Sequence, residues 1–442
     1  MRRTFLRRAL PRAFAGLLAL SLPTPRLRAA DDPGATLFVH GQTTYVLQGH
    51  GAFPSPYAGP ASFASRREVA GSFSATLCLG WRPWTGGEVV VTPELLGGKG
   101  DSRVQGLAGA PNGEIYRVSD PKVAPNLSRV FLRQTWALPG AGAREAEGGP
   151  LAFGGSRHSR RLTLTAGKMA MNDLFDLNGW AGDPRTAFLN WSFMDTAAWD
   201  YPADTRGYSW GLVAEVAWEA WSVRLGSFLE PRAANQMAFD HQVSRAHGDV
   251  LEVGREHRWG DLPGRVAVLV FANHARMGVY RDALALTPPA VDATRAPGRT
   301  KSGAGLNVEQ DLAEGTGVFL RAGWNDGRTE SWAFTEADRS LAAGLSAAGK
   351  AWHRPQDRLG VAFAANGLSR DHAAYLAQGG QGFLLGDGRL AEGAERILEA
   401  FYAVALAPGI TVTGDAQRLW NPGMNRARGP VQVFALRVHG AF

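Results

Sequence analysis

The chain has 442 residues, room for one large or two ordinary domains, and a formal charge of +7 that misleads. Seven of its 47 basic residues and none of its acids lie in the first thirty positions, so the remaining 40 Lys and Arg balance 40 Asp and Glu. That balance removes the case for a nucleic-acid partner, which needs a net basic footprint. The lone Cys78 excludes an internal disulfide, and without a C-x-x-C or H-E-x-x-H motif neither a metal site nor a cofactor has support.

In chain order, Arg2, Arg3, Arg7, Arg8 and Arg12 lead into an apolar run at 13–22. This is the pattern of a secretory signal peptide over 1–30, cut near Ala30. The string Arg2-Arg3-Thr4-Phe5-Leu6-Arg7 also resembles a twin-arginine signal, but a basic start in an Arg-rich chain is the simpler reading. Beyond it no run of about 18 apolar residues is available for a membrane helix.

From there the chain alternates with a period of two residues, which is the mark of a β-strand. The expected strands are 36–48, 71–80, 86–96, 127–137, 160–169, 208–218, 221–229, 248–258, 264–275, 303–312, 316–324, 339–349, 359–368, 398–406, 410–420 and 430–442. Segment 38–48 puts His40, Gln42, Thr44 and Gln48 on one face and Val39, Tyr45 and Leu47 on the other. Segment 127–137 turns Val130, Leu132 and Trp136 away from Arg129 and Arg133. Strands 208–218 and 221–229 are joined only by Glu219-Ala220, a tight hairpin flanked by Trp218 and Trp221. The last strand alternates Phe434, Leu436, Val438 and Gly440 with Arg437 and His439, and stops on Phe442.

Sixteen strands, with short connections alternating with long ones, predict an all-β fold: a transmembrane outer-membrane β-barrel of 16 antiparallel strands. Its turns would be short and periplasmic, its loops long and extracellular, and residues 31–442 would form a single domain. Only helices and closed barrels satisfy their backbone polar groups in lipid. A soluble sandwich or propeller also alternates, but Arg, Glu and Asp at many strand centres suit a wet lumen better than a dry core. Barrel precursors cross the inner membrane unfolded, which also speaks against the twin-arginine reading. Segment 138–159 breaks the alternation, being too long for a short turn, and a β extension is one reading of it.

Several long segments resemble the carbohydrate-selective porins of the OprB family: 40–63, 172–211, 256–264, 323–345, 366–390 and 421–442. They include NDLFDLNGWAGDPRTAFLNW from 172 and NPGMNRARGPVQVF from 421. The resemblance covers nearly all of the chain after the signal. It implies a porin that passes mono- and small oligosaccharides by passive diffusion. The implied partners are the sugars as solutes, outer-membrane lipid, and the barrel assembly machinery engaging the strand that ends at Phe442. Monomer and trimer both stay open.

A sugar offers flat C–H faces and a rim of hydroxyls, so a selective pore needs aromatic faces and charged or amide hydrogen-bonding groups. The connection 170–207 is far longer than usual and rich in Trp and turn residues, so it is expected to fold inward as a constriction. Its candidates to line or brace the pore are Trp180, Asp183, Arg185, Asn190, Trp191, Trp199, Asp204 and Arg206. From the wall, strand phase aims Arg129, Arg133, Arg161, Glu215, Arg224, Asn307, Glu309, Arg321, Asp415 and Arg437 inward. Arg129 with Arg133, and Arg224 with Arg321, suggest a basic side opposing Glu215, Glu309 and Asp415. Segment 325–339 reads either as a lid over the mouth or as a plain surface loop. The competing functions are a non-selective porin or one for organic acids, a barrel lipid hydrolase, for which His158-Ser159 is the only adjacent Ser–His pair, and a plugged structural barrel.

Overall fold

The computed structural model describes residues 35–116, 122–146 and 148–442; the expected signal, 1–30, lies outside the described residues. In chain order the strands are β1 (Leu37–His50), β2 (Glu68–Trp81), β3 (Gly87–Gly98), β4 (Ala124–Ala137), β5 (Ala143–Ala146), β6 (Gly155–His158), β7 (Arg160–Met169), β8 (Ser209–Trp218) and β9 (Trp221–Leu229). They continue as β10 (His247–Trp259), β11 (Leu262–Ala275), β12 (Arg299–Ala313), β13 (Thr316–Asn325), β14 (Arg339–Gly349), β15 (Arg354–Gly367), β16 (Glu395–Ala407), β17 (Ile410–Trp420) and β18 (Val431–Ala441). All but β5 and β6 form one closed antiparallel barrel of sixteen strands, sealed by β1 against β18.

Each expected strand has its counterpart. Several run further than their alternation does: β12 starts at Arg299 rather than 303, and β15 at Arg354 rather than 359. The apolar–polar alternation tracks contact with lipid, whereas the backbone ladder continues beyond it.

The phase at the seam is the one read from the sequence. Phe434 and Leu436 face outward and are exposed, while Val433, Arg437 and His439 are buried on the inner side. Tyr45 pairs with Val438, and the Thr44 hydroxyl meets His439 Nδ1 at 2.9 Å. A slip of one residue would turn Arg437 to lipid, so the register is strongly specified.

Trp81, Trp136, Trp218, Trp221 and Trp259 stand exposed on the outer surface at the short-turn end, and Trp210 and Trp324 at the long-loop end. These are the two aromatic girdles of a membrane barrel. Trp218 pairs with Trp221 across a two-residue turn in which Glu219 takes φ 55°, as tight hairpins require. The irregular segment 138–159 carries a hairpin of its own, β5 against β6.

The apolar core lies inside the barrel and is supplied by loops that turn inward. Phe188 and Phe193 from the 170–208 connection pack against Phe319 of β13 and Phe401 of β16, with Phe188–Phe401 at 5.0 Å. Lumen-facing glycines make the room. A Cβ on Gly360 would meet Phe401 at 2.2 Å and Phe188 at 2.9 Å, and one on Gly344 would meet Phe319 at 2.5 Å. Segment 325–339 joins this filling: Trp332 is fully buried, and its indole N–H donates to the Pro231 carbonyl at 3.0 Å.

Candidate pore and its constriction

A loop drawn into a dry interior must find acceptors for its backbone N–H groups. The wall supplies them as carboxylates. Glu399 of β16 accepts from the N–H groups of Leu189 and Asn190 at 2.5 and 2.9 Å. Glu395, four residues away on the same face, accepts from Gly109 and Gly423 at 2.8 Å each, and from Ala108 at 3.1 Å. Glu252 of β10 accepts from Asp176 N–H at 2.7 Å. Loop carboxylates serve other loops in the same way: Asp200 accepts from Trp332 and Ala333 N–H, both at 2.7 Å.

Five expected pore-lining residues belong to this scaffold. Asn190, Asn307, Arg321, Asp415 and Arg437 are each 5 % exposed or less. Arg437 donates to the Pro184 and Ala187 carbonyls at 2.6 and 2.8 Å. Arg321 reaches Asp176 at 3.3 Å and donates to the Phe193 carbonyl. Asn307 holds Asp176 and Asn178, Asn190 caps the helical turn Trp191–Met194 and donates to Gln417, and Asp415 accepts from Gln417 at 3.1 Å. Strand phase correctly turns the wall residues inward, but it cannot say that a loop fills the lumen in front of them. The notion of a basic side opposing an acidic side fails for the same pairs. Arg224 is bonded to Glu215 at 2.5 Å, and Arg321 and Asp415 are enclosed by the loop.

The other flank of the lumen is open. Its wall carries a chain of ion pairs across neighbouring strands. Arg161 meets Glu215 at 2.7 Å, Arg224 bridges Glu215 and Glu252 at 2.5 and 2.9 Å, and Arg265 meets Glu252 at 2.6 Å. A cavity of about 840 Å³ lies against this ladder toward the short-turn end, lined by Arg133, Arg161, Glu215 and Arg224 together with Asp173. A smaller one of about 120 Å³ opens toward the long loops, lined by Glu114, Arg185, Trp191, Tyr201, Tyr208 and Phe334. Trp180 and Glu309 lie apart, in a recess of about 680 Å³ near the short-turn mouth, where Trp180 Nε1 donates to Asp311 at 3.0 Å.

Between the first two of these cavities, one lined by Asp173 and the other by Tyr208, stands Arg129. It grips both oxygens of Asp173 at 2.6 Å, and its guanidinium lies 5.2 Å from the Tyr208 ring centroid. The Tyr208 hydroxyl donates to Glu94 at 2.9 Å, and Arg185 pairs with Glu114 at 2.9 Å. Trp191, Phe334 and Tyr201 stack in series, with centroids 5.6 and 4.6 Å apart. These four rings, Tyr208 included, are each 7 % exposed or less, so they brace the smaller cavity while the fixed charges edge it. Burial works against the Arg185 charge, but Glu114 and Asp183 more than offset it and hold its pKa above the ordinary arginine value. Burial, with Glu94 beside it, holds Tyr208 in its neutral form well above its ordinary pKa. Deeper in the loop, burial and the neighbouring Asp176 push Asp195 up to about 7.

Three other loop candidates take supporting places. Asp183 fixes a turn, accepting from Arg185 N–H at 3.0 Å and the Thr186 hydroxyl at 2.9 Å. Asp204 accepts from the N–H groups of Arg206 and Tyr208, and Trp199 is fully buried. Arg206 lies over the Tyr116 ring at the smaller cavity. The sequence reading passed over Asp173, Tyr208, Glu114 and Glu94. Asp173 and Tyr208 did leave a trace: they sit at the two feet of the inward loop, where chain geometry brings its ends together at the wall.

Comparison with known proteins agrees with the barrel fold. The family model described as "Carbohydrate-selective porin, OprB family" matches residues 44–442. Among solved structures, the chain is similar to OprB of Pseudomonas putida, with 15% identity and a TM-score of 0.69 over 92% of this chain and 94% of that one. It is also similar to the outer membrane channel DcaP of Acinetobacter baumannii, with 10% identity and a TM-score of 0.51 over 92% and 97% of the two chains. At such identities these likenesses speak for the fold alone. No curated protein sequence matches the chain.

Proposed function

Because the chain belongs to the OprB family of carbohydrate-selective porins, we propose that sugars cross it by passive diffusion along the open flank, past Arg129, Asp173 and Tyr208. The observation that carries this reading is the pair of cavities separated by one bidentate ion pair set beside an aromatic ring. A solute entering among the long outer loops meets a recess walled by Trp191, Phe334 and Tyr201, whose buried, stacked rings set its shape. It then passes groups that exchange hydrogen bonds with its hydroxyls. Arg129 is already satisfied by Asp173, so it gives up little to the sugar, and weak multi-site contact of this kind is what conduction needs. Residues 1–30 serve as the export signal in this reading, and the outward-facing strand ending at Phe442 as the handle for barrel assembly.

Single-channel recording with glucose and maltooligosaccharides tests it. Wild-type current is expected to be blocked by glucose, and Arg129→Ala to weaken the block about threefold, the worth of one weak hydrogen bond. Equal permeation of glucose and of an organic acid of the same size, with no block by either, would favour a non-selective porin instead.

A further inference from the structure

The larger cavity is not electrically balanced. Three carboxylates line it, and each is already engaged. Glu88 is shared by Arg82 at 3.1 Å and Arg133 at 3.0 Å. Glu215 is shared by Arg161 at 2.7 Å and Arg224 at 2.5 Å. Asp173 is held at both oxygens by Arg129. Arg157 of β6 lines the same cavity, and among the described residues no carboxylate pairs with it. The charges around it are Arg161 and Arg133, with the committed Glu215 and Glu88 beyond them, so partial loss of bulk water and these guanidinia push its pKa down, although the side chain itself is exposed.

The segment that carries Arg157 is nonetheless held in position. The 138–159 segment folds back across the short-turn mouth. There Arg133 donates to the Leu151 carbonyl at 3.3 Å and Arg161 to the His158 carbonyl at 3.2 Å. Phe153 is buried edge-on against Phe38 at 4.6 Å, beneath Arg82 at 4.0 Å. Across the hairpin Arg157 stands opposite Arg144, whose charge is drawn outward to Glu256 at 3.2 Å. Like charges placed opposite each other on paired strands cost stability. The hairpin therefore gains nothing from a guanidinium at 157, and five N–H donors face the cavity water without a protein acceptor.

We propose that Arg157, flanked by Arg133 and Arg161, forms a binding site for sugars that carry a carboxylate, on the short-turn side of the constriction. The inference rests on the porin reading and narrows its substrate class to include sugar acids. Galactose and galacturonate differ only in the acid at C6, so they make a matched pair of probes. In single-channel recording, galacturonate is expected to block wild-type current at a lower concentration than galactose. Arg157→Ala should raise the half-blocking concentration of galacturonate about tenfold, while Arg157→Lys, which keeps the charge, should retain part of the preference. Galactose block should be the same in all three proteins, which also reports that the channel is intact. Equal block by the two sugars in the wild type, or galacturonate block that Arg157→Ala leaves unchanged, would overturn the site. If neither sugar enters the wild-type channel, the porin reading itself has failed.

Discussion

The two flanks of the lumen share one alternating code and put it to opposite uses. From β12 round to β18, inward groups such as Arg321, Glu399 and Arg437 bond to the backbone of a loop and see almost no water. From β3 to β10, inward groups such as Arg133, Glu215 and Arg224 bond to one another and border a cavity. The lesson is that a lumen-facing charge takes its role from what stands in front of it. Where a loop fills the space, the charge replaces the water that the loop backbone has lost. Where water remains, charges cancel in pairs along the wall and the remaining surface meets the solute.

That contrast can be broken most severely on the packed flank. Arg321→Ala leaves Asp176 as an unpaired buried charge, and removing one partner of such a pair costs about 3–5 kcal/mol. Thermal unfolding in detergent should record a loss of that size, together with noisier channel current as the loop loosens. Asp195 sharpens the same flank through pH. Its folded-state pKa of about 7 lies above its ordinary value, so the folded protein holds this proton more tightly than the unfolded chain. The resulting stabilisation is fully present below about pH 4 and disappears as pH rises through about 7, on the order of 4 kcal/mol in all. Melting temperature should therefore fall between pH 5 and pH 8, and Asp195→Asn should flatten that slope. On the open flank, Arg224→Ala should cost only about 1–2 kcal/mol, because water can reach Glu215 and Arg161 still holds it. A loss as large as that of Arg321→Ala would mean that the two flanks do not differ in kind.

The wall was legible because its code is local. The Glu219-Ala220 turn, the Trp218/Trp221 flank and the seam strand ending at Phe442 each follow from a few neighbouring residues, and lipid outside with polar groups inside leaves one allowed register. The site was only partly legible. Arg224 and Arg437 have the same phase and chemistry, yet one borders the cavity and the other is buried under Pro184 and Ala187. Nothing within either strand records the path of a loop some 20 or 250 residues away. Asp173 and Tyr208 were missed because they lie just outside the strand and loop interiors where alternation and composition carry signal. The 138–159 segment stood out by its length, but its fold back over the mouth depends on the bond from Arg133 to the Leu151 carbonyl, which the alternation of neither segment records.

The inward loop is packed by aromatic rings against one side and only tied to the other, by Asp173 on Arg129 and Asp176 on Glu252, so the proposed route for a solute runs off the central axis. On that proposed route a molecule touches strands from one arc, and packed aromatic rings insulate it from the opposite one. Substitutions on that hidden arc should behave like those in the interior of a water-soluble enzyme, felt as stability and little else. Changes of taste in what crosses the bilayer can then accumulate along the wetted arc, leaving the shape of the whole untouched.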